Sequence, residues 1–398
     1  MMDQDISIVI PTLNGGHVFS EMLSAVEEQE YEGKVQVVVV DSGSSDGTPE
    51  RAEQAGATVL RIAGSDFHHA GTRNLALGHA DHDPVVFMVQ DAVPASRTWL
   101  EALRRAVARE GVAAAYGRQI PLDTAGPYGR FNARAVSDYL GPEPLLQRIE
   151  DENAYARMSF GEAYRMTRLD NVCAVYRRDA LLDRPFPDVP YAEDMAWALE
   201  TLLAGGKILY DPSIVVKHSH DRAPEYLFRR HLVDTVWCVE ILGKMRREPL
   251  AAEVDDLIRA FGGLGAILGE ILEEVCPSIA GASGVRLSRG FLPGLKEGLS
   301  AEHRHLRPMW GESAEEARRS SKGSRLALDR LEGDVRSIWE GVRTEEDSWD
   351  PVLLEDVLEK IGAGVLGAFY GEVYAGALRR GLLDRSLQSF LAPFLTGV

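Results

Sequence analysis

The amino-acid sequence predicts an α/β fold: a doubly wound, mostly parallel sheet followed by a helical C-terminal region. Three observations carry this prediction. Short apolar runs alternate with stretches of helical spacing across residues 6–89. The runs are continuous rather than alternating, as in strands buried on both faces, and a βαβαβ alternation feeds such strands into a parallel sheet. From Tyr226 onward the pattern is mainly helical.

In order, Ile6-Ser7-Ile8-Val9-Ile10 reads as a buried strand closed by Pro11, and Phe19, Met22, Leu23 and Val26 follow at helical spacing. Val35 to Val40 is a second buried strand, ending at Asp41. Ser42 to Thr48 is a loop, Pro49 to Ala55 a helix and Thr58 to Ile62 a short strand. Thr72 to His79 is helical, and Val85 to Val89 is again a buried strand. Ligands of such sheets bind beyond the carboxyl ends of the strands, so Asn14, Asp41 and Asp91 are expected to converge in one cleft.

After Ala114 to Tyr116, residues 122–168 read as a long connection over the cleft mouth, with a helix at 143–157. Its Tyr128, Tyr139, Tyr155 and Tyr164 are candidate sugar-stacking surfaces. Strand character returns at Asn171 to Tyr176, a helix starts near Glu193, and strands follow at 207–210 and 214–216. Leu257, Phe261, Leu264 and Leu268 form an apolar helical stripe. Ser313 to Glu346 is strongly charged, and Val352 to Leu378 is apolar but broken by Glu355, Glu359 and Lys360. The expected division is a sheet domain at 1–245 and a helical region at 246–398.

A length of 398 residues accommodates both parts. The formal charge of −18 argues against nucleic acid as a partner, because phosphate backbones reward clustered Lys and Arg. The 3 cysteines are widely spaced without a CxxC, which disfavours a disulfide framework or a zinc site and points to a reducing compartment. The start Met1-Met2-Asp3-Gln4-Asp5 lacks the basic residues of a signal peptide, and no apolar run reaches the ~20 residues of a membrane span. A cytoplasmic location is expected.

Ser7-Ile8-Val9-Ile10-Pro11-Thr12-Leu13-Asn14, with Val40-Asp41-Ser42-Gly43-Ser44-Ser45-Asp46-Gly47-Thr48, resembles the start of a family 2 glycosyltransferase. Phe67-His68-His69-Ala70-Gly71-Thr72-Arg73-Asn74 and Gln90-Asp91-Ala92 narrow the resemblance to the bacterial rhamnosyltransferase branch. It covers about residues 5–225 and implies the GT-A fold, an inverting mechanism, a divalent metal (manganese or magnesium) and a nucleoside-diphosphate-sugar donor. The acceptor it implies is a saccharide or a lipid-linked saccharide of polysaccharide biosynthesis.

The resemblance assigns residues one by one. Pro11, Thr12, Asn14, Asp41 and Ser42 would line the nucleotide pocket. A carboxylate at the Asp41 strand end can accept from a pyrimidine ring N–H, although Asp-Ser-Gly-Ser is also good turn chemistry. Gly71, Arg73 and Asn74, at a helix start, would meet the diphosphate, with Gln90 nearby. Val89-Gln90-Asp91 occupies the place of the family's DXD motif. Its first Asp is Val89 here, so Asp91 would hold the metal, completed by His218 or His220. Glu193 and Asp194 match the Glu-Asp pair: Asp194 would be the base and Glu193 would orient it or the acceptor. First-turn acids complementing a helix dipole are the plainer alternative.

Two rivals accompany this reading. Gly-Thr-Arg resembles the phosphate loop of sugar nucleotidylyltransferases, but that loop follows their first strand and here it follows the third. The incomplete DXD and the long helical extension also suit a non-catalytic nucleotide-sugar-binding subunit. The extension is expected to serve as a homo-oligomer interface, a peripheral contact at the inner face of the membrane, or a wall of the acceptor site.

Overall fold

The computed structural model describes residues 4–248, 250, 254–276, 315, 318–319, 321–381, 388 and 391–395. The chain divides into two compact units, one of Met1–Thr124 with Asn132–His220, the other of Ala125–Phe131 with Asp221–Val398.

The first unit is built on a nine-stranded mixed sheet. Strands β1 (Ile6–Thr12), β2 (Val35–Asp41), β3 (Thr58–Arg61), β4 (Val85–Met88), β5 (Val93–Pro94), β6 (Val112–Ile120), β7 (Leu145–Gln147), β8 (Cys173–Tyr176) and β9 (Lys207–Lys217) run in the order β3-β2-β1-β4-β8-β6-β9-β5, with β7 also on β9. The pairs β3-β2, β2-β1, β1-β4 and β6-β9 are parallel; β8, β5 and β7 run against their neighbours. The predicted mostly parallel, doubly wound sheet is therefore present.

Successive residues of the central strands serve opposite faces. Ile8, Ile10, Val39, Val86 and Met88 pack with Phe19 and Met22 of α1 (Gly16–Glu27) and Leu100 and Leu103 of α4 (Trp99–Val107). Val9, Val38, Val40, Val85 and Phe87 pack with Ala76 and Leu77 of α3 (His69–Leu77) and Trp197 and Leu202 of α9 (Glu193–Leu203). Burial on both faces explains why these strands read as unbroken apolar runs. A second helix, α2 (Thr48–Gln54), follows the loop after β2.

Several local expectations change. β1 continues through Pro11, which lies beyond the last β1–β4 pair, Val9 with Phe87, so its missing N–H costs that ladder nothing. The helix expected at 143–157 is instead β7 followed by α6 (Glu152–Arg157), while α5 (Pro127–Leu140) precedes it. Helices α7 (Phe160–Thr167) and α8 (Arg178–Asp183) complete this stretch. Residues 207–217 form one strand, not two. Tyr128 is buried, whereas Tyr139 is exposed.

Among the described residues the helical unit contains α10 (Pro224–Leu242), α11 (Val254–Val275), α12 (Lys322–Val342) and α13 (Pro351–Arg379). It takes in α10, one helix earlier than a division at 245 would give, because α10 packs along α13. The two helices approach through glycine: a Cβ on Gly367 would fall 2.2 Å from the Phe228 carbonyl oxygen, and one on Gly371 2.8 Å from that of Leu232. Leu257, Phe261, Leu264 and Leu268 are buried, as their spacing predicts. The charged segment beginning at Ser313 lies partly outside the described residues; its described part is chiefly α12. Among the described residues no helix is long and apolar enough to cross a membrane.

Candidate active site

Three loops meet at the carboxyl ends of β1, β2 and β4. Gln90 grips the first loop from both sides: its Oε1 accepts from the Leu13 N–H at 2.8 Å and its Nε2 donates to the Leu13 carbonyl at 3.1 Å. The Asn14 N–H donates to Ser44 Oγ (2.8 Å), and Asn14 Oδ1 accepts from the Ser45 N–H (2.9 Å). Asn14 adopts φ 50°, a left-handed geometry that Asn tolerates better than most residues. Gly15 and Gly16 donate to Thr48 and Asp46.

Within this corner Asp41 is buried and fully engaged. Its Oδ1 accepts from Thr12 Oγ1 (3.2 Å) and Ser44 Oγ (2.5 Å), and its Oδ2 from the N–H groups of Gly43 (3.1 Å) and Ser44 (3.0 Å). Four donors fill a carboxylate's acceptor capacity. In this arrangement Asp41 shapes the loop rather than offering free oxygens. Ser42 turns inward, its Oγ donating to the Thr12 carbonyl at 2.9 Å.

A second cluster forms at Asp91, His218 and His220. The short strand β5 creates it, because pairing of Val93 with Lys217 brings the turn after β4 beside the end of β9. The His218 N–H continues the β6–β9 ladder to the Ile120 carbonyl (2.8 Å). His218 Nε2 lies 3.6 Å from Asp91 Oδ1 and His220 Nδ1 3.5 Å from Asp91 Oδ2. The imidazoles stand nearly perpendicular, with centroids 4.5 Å apart. Burial works against ionising Asp91, but the two neighbouring imidazoles outweigh it and hold the carboxyl below its usual range. One ligand atom from each of the three residues falls within 4.8 Å of the others, a nitrogen and oxygen donor set that suits a manganese-type divalent cation. Both histidines take part, so the cluster does not choose between them.

A third cluster sits at the start of α9. Ala192, just before it, adopts φ 59° and ψ 42°, a conformation costing an L-residue roughly 1–2 kcal/mol, and such strain collects at functional sites. Glu193 is buried against Arg73, with Nη1 to Oε1 at 2.5 Å, and also accepts from Asn171 Nδ2 at 3.1 Å. Burial opposes its ionisation, yet the Arg73 guanidinium prevails and keeps its carboxyl below the normal value. Arg73, read from the sequence as a diphosphate ligand, thus directs this amine inward, to Glu193 and the His69 carbonyl. Asn74 is likewise engaged: its amide clamps the Phe186 backbone, donating at 2.9 Å and accepting at 3.0 Å. The Gly71 N–H is taken by His68 Nδ1, which caps α3.

Asp194 has a different environment. Its Oδ2 accepts from the Asn171 N–H (3.1 Å) and its Oδ1 from the Met195 N–H (2.8 Å). Burial first, then the negative charges of Glu193 and Asp170, push its carboxyl up to about 7. Adjacent carboxyls driven in opposite directions are a pattern of acid–base sites.

Asn171, Asp170 and Gln119 belong to this constellation but escaped the sequence reading. Asn171 bridges Glu193 and the Tyr176 hydroxyl, at 3.1 and 2.7 Å. A polar residue preceding an apolar strand was its one available signal. Gln119 lies inside β6, where spacing gives no hint of a partner in β9 or near β8.

A doubly wound, mostly parallel sheet with polar loops gathered at the carboxyl ends of its parallel strands is the architecture of a GT-A glycosyltransferase. Residues 7–183 match the family model for glycosyl transferase family 2. The chain is 32% identical over 231 residues to the O-antigen chain rhamnosyltransferase RfbN of Salmonella typhimurium, an alignment covering 57% of this chain and 70% of that protein. It is 33% identical over 231 residues to the O-antigen chain rhamnosyltransferase WbaN of Salmonella anatum, covering 56% and 69% respectively. Among solved structures, the mannosyltransferase PcManGT from Pyrobaculum calidifontis, in complex with GDP-Man and Mn2+, aligns at a TM-score of 0.44 and 18% identity over 86% of this chain and 88% of that one. The chain belongs to glycosyl transferase family 2 and resembles its rhamnosyltransferases. It is a glycosyltransferase.

Proposed function

We propose that the protein is an inverting, metal-dependent rhamnosyltransferase that moves the sugar from a nucleoside-diphosphate donor to a saccharide or lipid-linked acceptor in polysaccharide assembly. The observation that carries this reading is the Asp91–His218–His220 cluster beyond the carboxyl ends of the parallel strands. The likeness to two O-antigen chain rhamnosyltransferases supports rhamnose as the sugar and polysaccharide assembly as the process. The reaction is placed in the cytoplasm, at the inner face of the membrane where a lipid-linked acceptor would be presented.

Asp91, His218 and His220 would hold manganese or magnesium, whose charge would offset the diphosphate leaving group. The loops carrying Pro11, Thr12, Asn14, Asp41, Ser42 and Gln90 cradle the nucleotide, and the Gly71–Asn74 helix start closes its other side. Asp41 acts by fixing its loop, so that backbone groups meet the base and ribose. Asp194 removes the proton from the attacking acceptor hydroxyl; a base whose carboxyl sits near 7 accepts that proton more readily than an ordinary Asp. Glu193, tied to Arg73 and Asn171, orients Asp194 and keeps a second negative charge beside it.

The test is a panel of nucleotide sugars with manganese and a saccharide acceptor, reading the released nucleotide. Nucleoside diphosphate and a lengthened acceptor are expected with a rhamnose-carrying nucleotide sugar. Equal turnover after complete chelation would overturn the metal assignment, and exclusive use of another sugar would overturn the donor.

A further inference from the structure

We propose that Gln119 is a positioning residue for His218: its amide, oriented by Asp170, holds the imidazole with a proton on Nδ1 and turns Nε2 toward the Asp91 side of the cluster. The inference starts from a chain of side chains behind the Asp-His-His cluster. Arg168 Nη2 donates to Asp170 Oδ2 at 2.8 Å. The same oxygen accepts from Gln119 Nε2 at 2.9 Å, and Asp170 Oδ1 is fixed by the Val172 N–H at 3.1 Å. Gln119 Oε1 lies 2.8 Å from His218 Nδ1.

The polarity of this chain runs one way. Arg168 can only donate, and an ionised Asp170 can only accept. The Gln119 amide must therefore present its NH2 to Asp170, which leaves its carbonyl oxygen toward His218. A carbonyl oxygen needs a donor, so Nδ1 carries the proton. The remaining ring nitrogen, Nε2, is the one 3.6 Å from Asp91 Oδ1. A fixed guanidinium thus sets, through two intermediates, which imidazole nitrogen faces the cluster. Partners of this kind behind a ligating imidazole fix its tautomer and ring orientation, and losing one costs metal affinity ~10–100-fold. Asp170 also precedes Asn171, whose N–H holds Asp194, so one short segment, 170–171, braces both clusters.

The consequence for metal affinity rests on the metal-site reading above, but the tautomer does not require metal. The test therefore has two arms on the full chain. Long-range 15N–1H NMR of the metal-free protein reads whether His218 Nδ1 carries a proton, and calorimetric titration with manganese alone reads affinity. The wild type is expected with a proton on Nδ1. Gln119→Leu removes the acceptor at similar size; it is expected to shift His218 toward the Nε2–H form that free neutral imidazole prefers and to weaken manganese binding ~10–100-fold. A folded Gln119→Leu protein with His218 still Nδ1–H and wild-type manganese affinity would overturn the proposal. Manganese binding by neither protein would overturn the metal reading, while the tautomer arm would still decide the role of Gln119.

Discussion

At the scale of single residues, the two acids at the start of α9 divide the work by environment. Arg73 and Asn171 hold Glu193 ionised, while for Asp194 the backbone N–H groups and the charge of Arg73 are outweighed by burial and two like charges. The stability consequence has a definite sign. Asp194 binds its proton more tightly in the folded state, so its contribution is fully present below the unfolded value near 4 and is lost as pH rises toward about 7. Asp194→Asn should therefore melt higher than the wild type at pH 8, with little difference at pH 4, in a pH series of thermal melts. The same variant should bind donor normally yet transfer sugar ~10²–10⁴-fold more slowly, because Asn cannot take the proton. Near-normal turnover would move the base elsewhere. Asp91→Ala should abolish the manganese-dependent part of nucleoside-diphosphate binding in calorimetry; equal affinity with and without manganese in the wild type would contradict this. Part of this arrangement was legible: Asp91, His218 and His220 fall together, and Glu193 and Asp194 stand side by side at the start of α9. Arg73, Asn74 and Asp41 show what motif reading lacks, since spacing announces a polar side chain but not whether a neighbour has already claimed it. Gln119 was illegible for the same reason, as its partners come from β9 and the turn before β8.

Among the elements, the parallel strands were the easiest to read, because burial on both faces demands unbroken apolar runs such as Val37-Val38-Val39-Val40. The stretch 122–168 was hardest. Its helices carry tyrosines, arginines and acids on partly exposed faces, and α6 and α7 are too short for periodicity to register. Pro127 opens α5, a position where proline is well suited, yet it reads as a breaker when no cap is in view. The α10–α13 contact yields a prediction of its own. Alanine at position 367 would gain ~1 kcal/mol in helix propensity. Its methyl would, however, meet the Phe228 carbonyl oxygen, and overpacking against fixed backbone costs ~1–3 kcal/mol or more. The clash should win, so Gly367→Ala is expected to lower the melting temperature; an unchanged or higher value would show that the two helices can separate freely.

For the molecule as a whole, the candidate chemistry and the helical mass fall in different compact units. Every residue assigned a role lies at or before His220, inside the first unit. Nucleoside diphosphate with manganese should therefore slow amide exchange at residues 13–16, 42–48, 90–91 and 217–220. It should leave α11 and α12 unchanged. Protection confined to those two helices would refute this division of labour.

The short excursion Ala125–Phe131, which belongs to the helical unit although the chain then returns to the sheet, has a consequence during synthesis. Tyr128 is buried, its hydroxyl near Gly364, and the Phe131 ring lies against Gly341. Both covering residues are made more than two hundred positions later. At ~5–20 residues per second, these aromatic side chains wait ~10–40 s on the ribosome without their final neighbours. A chain released early, or cut back before α12, would leave them bare for good, so the last third of the protein acts as the cover for a stretch completed long before it.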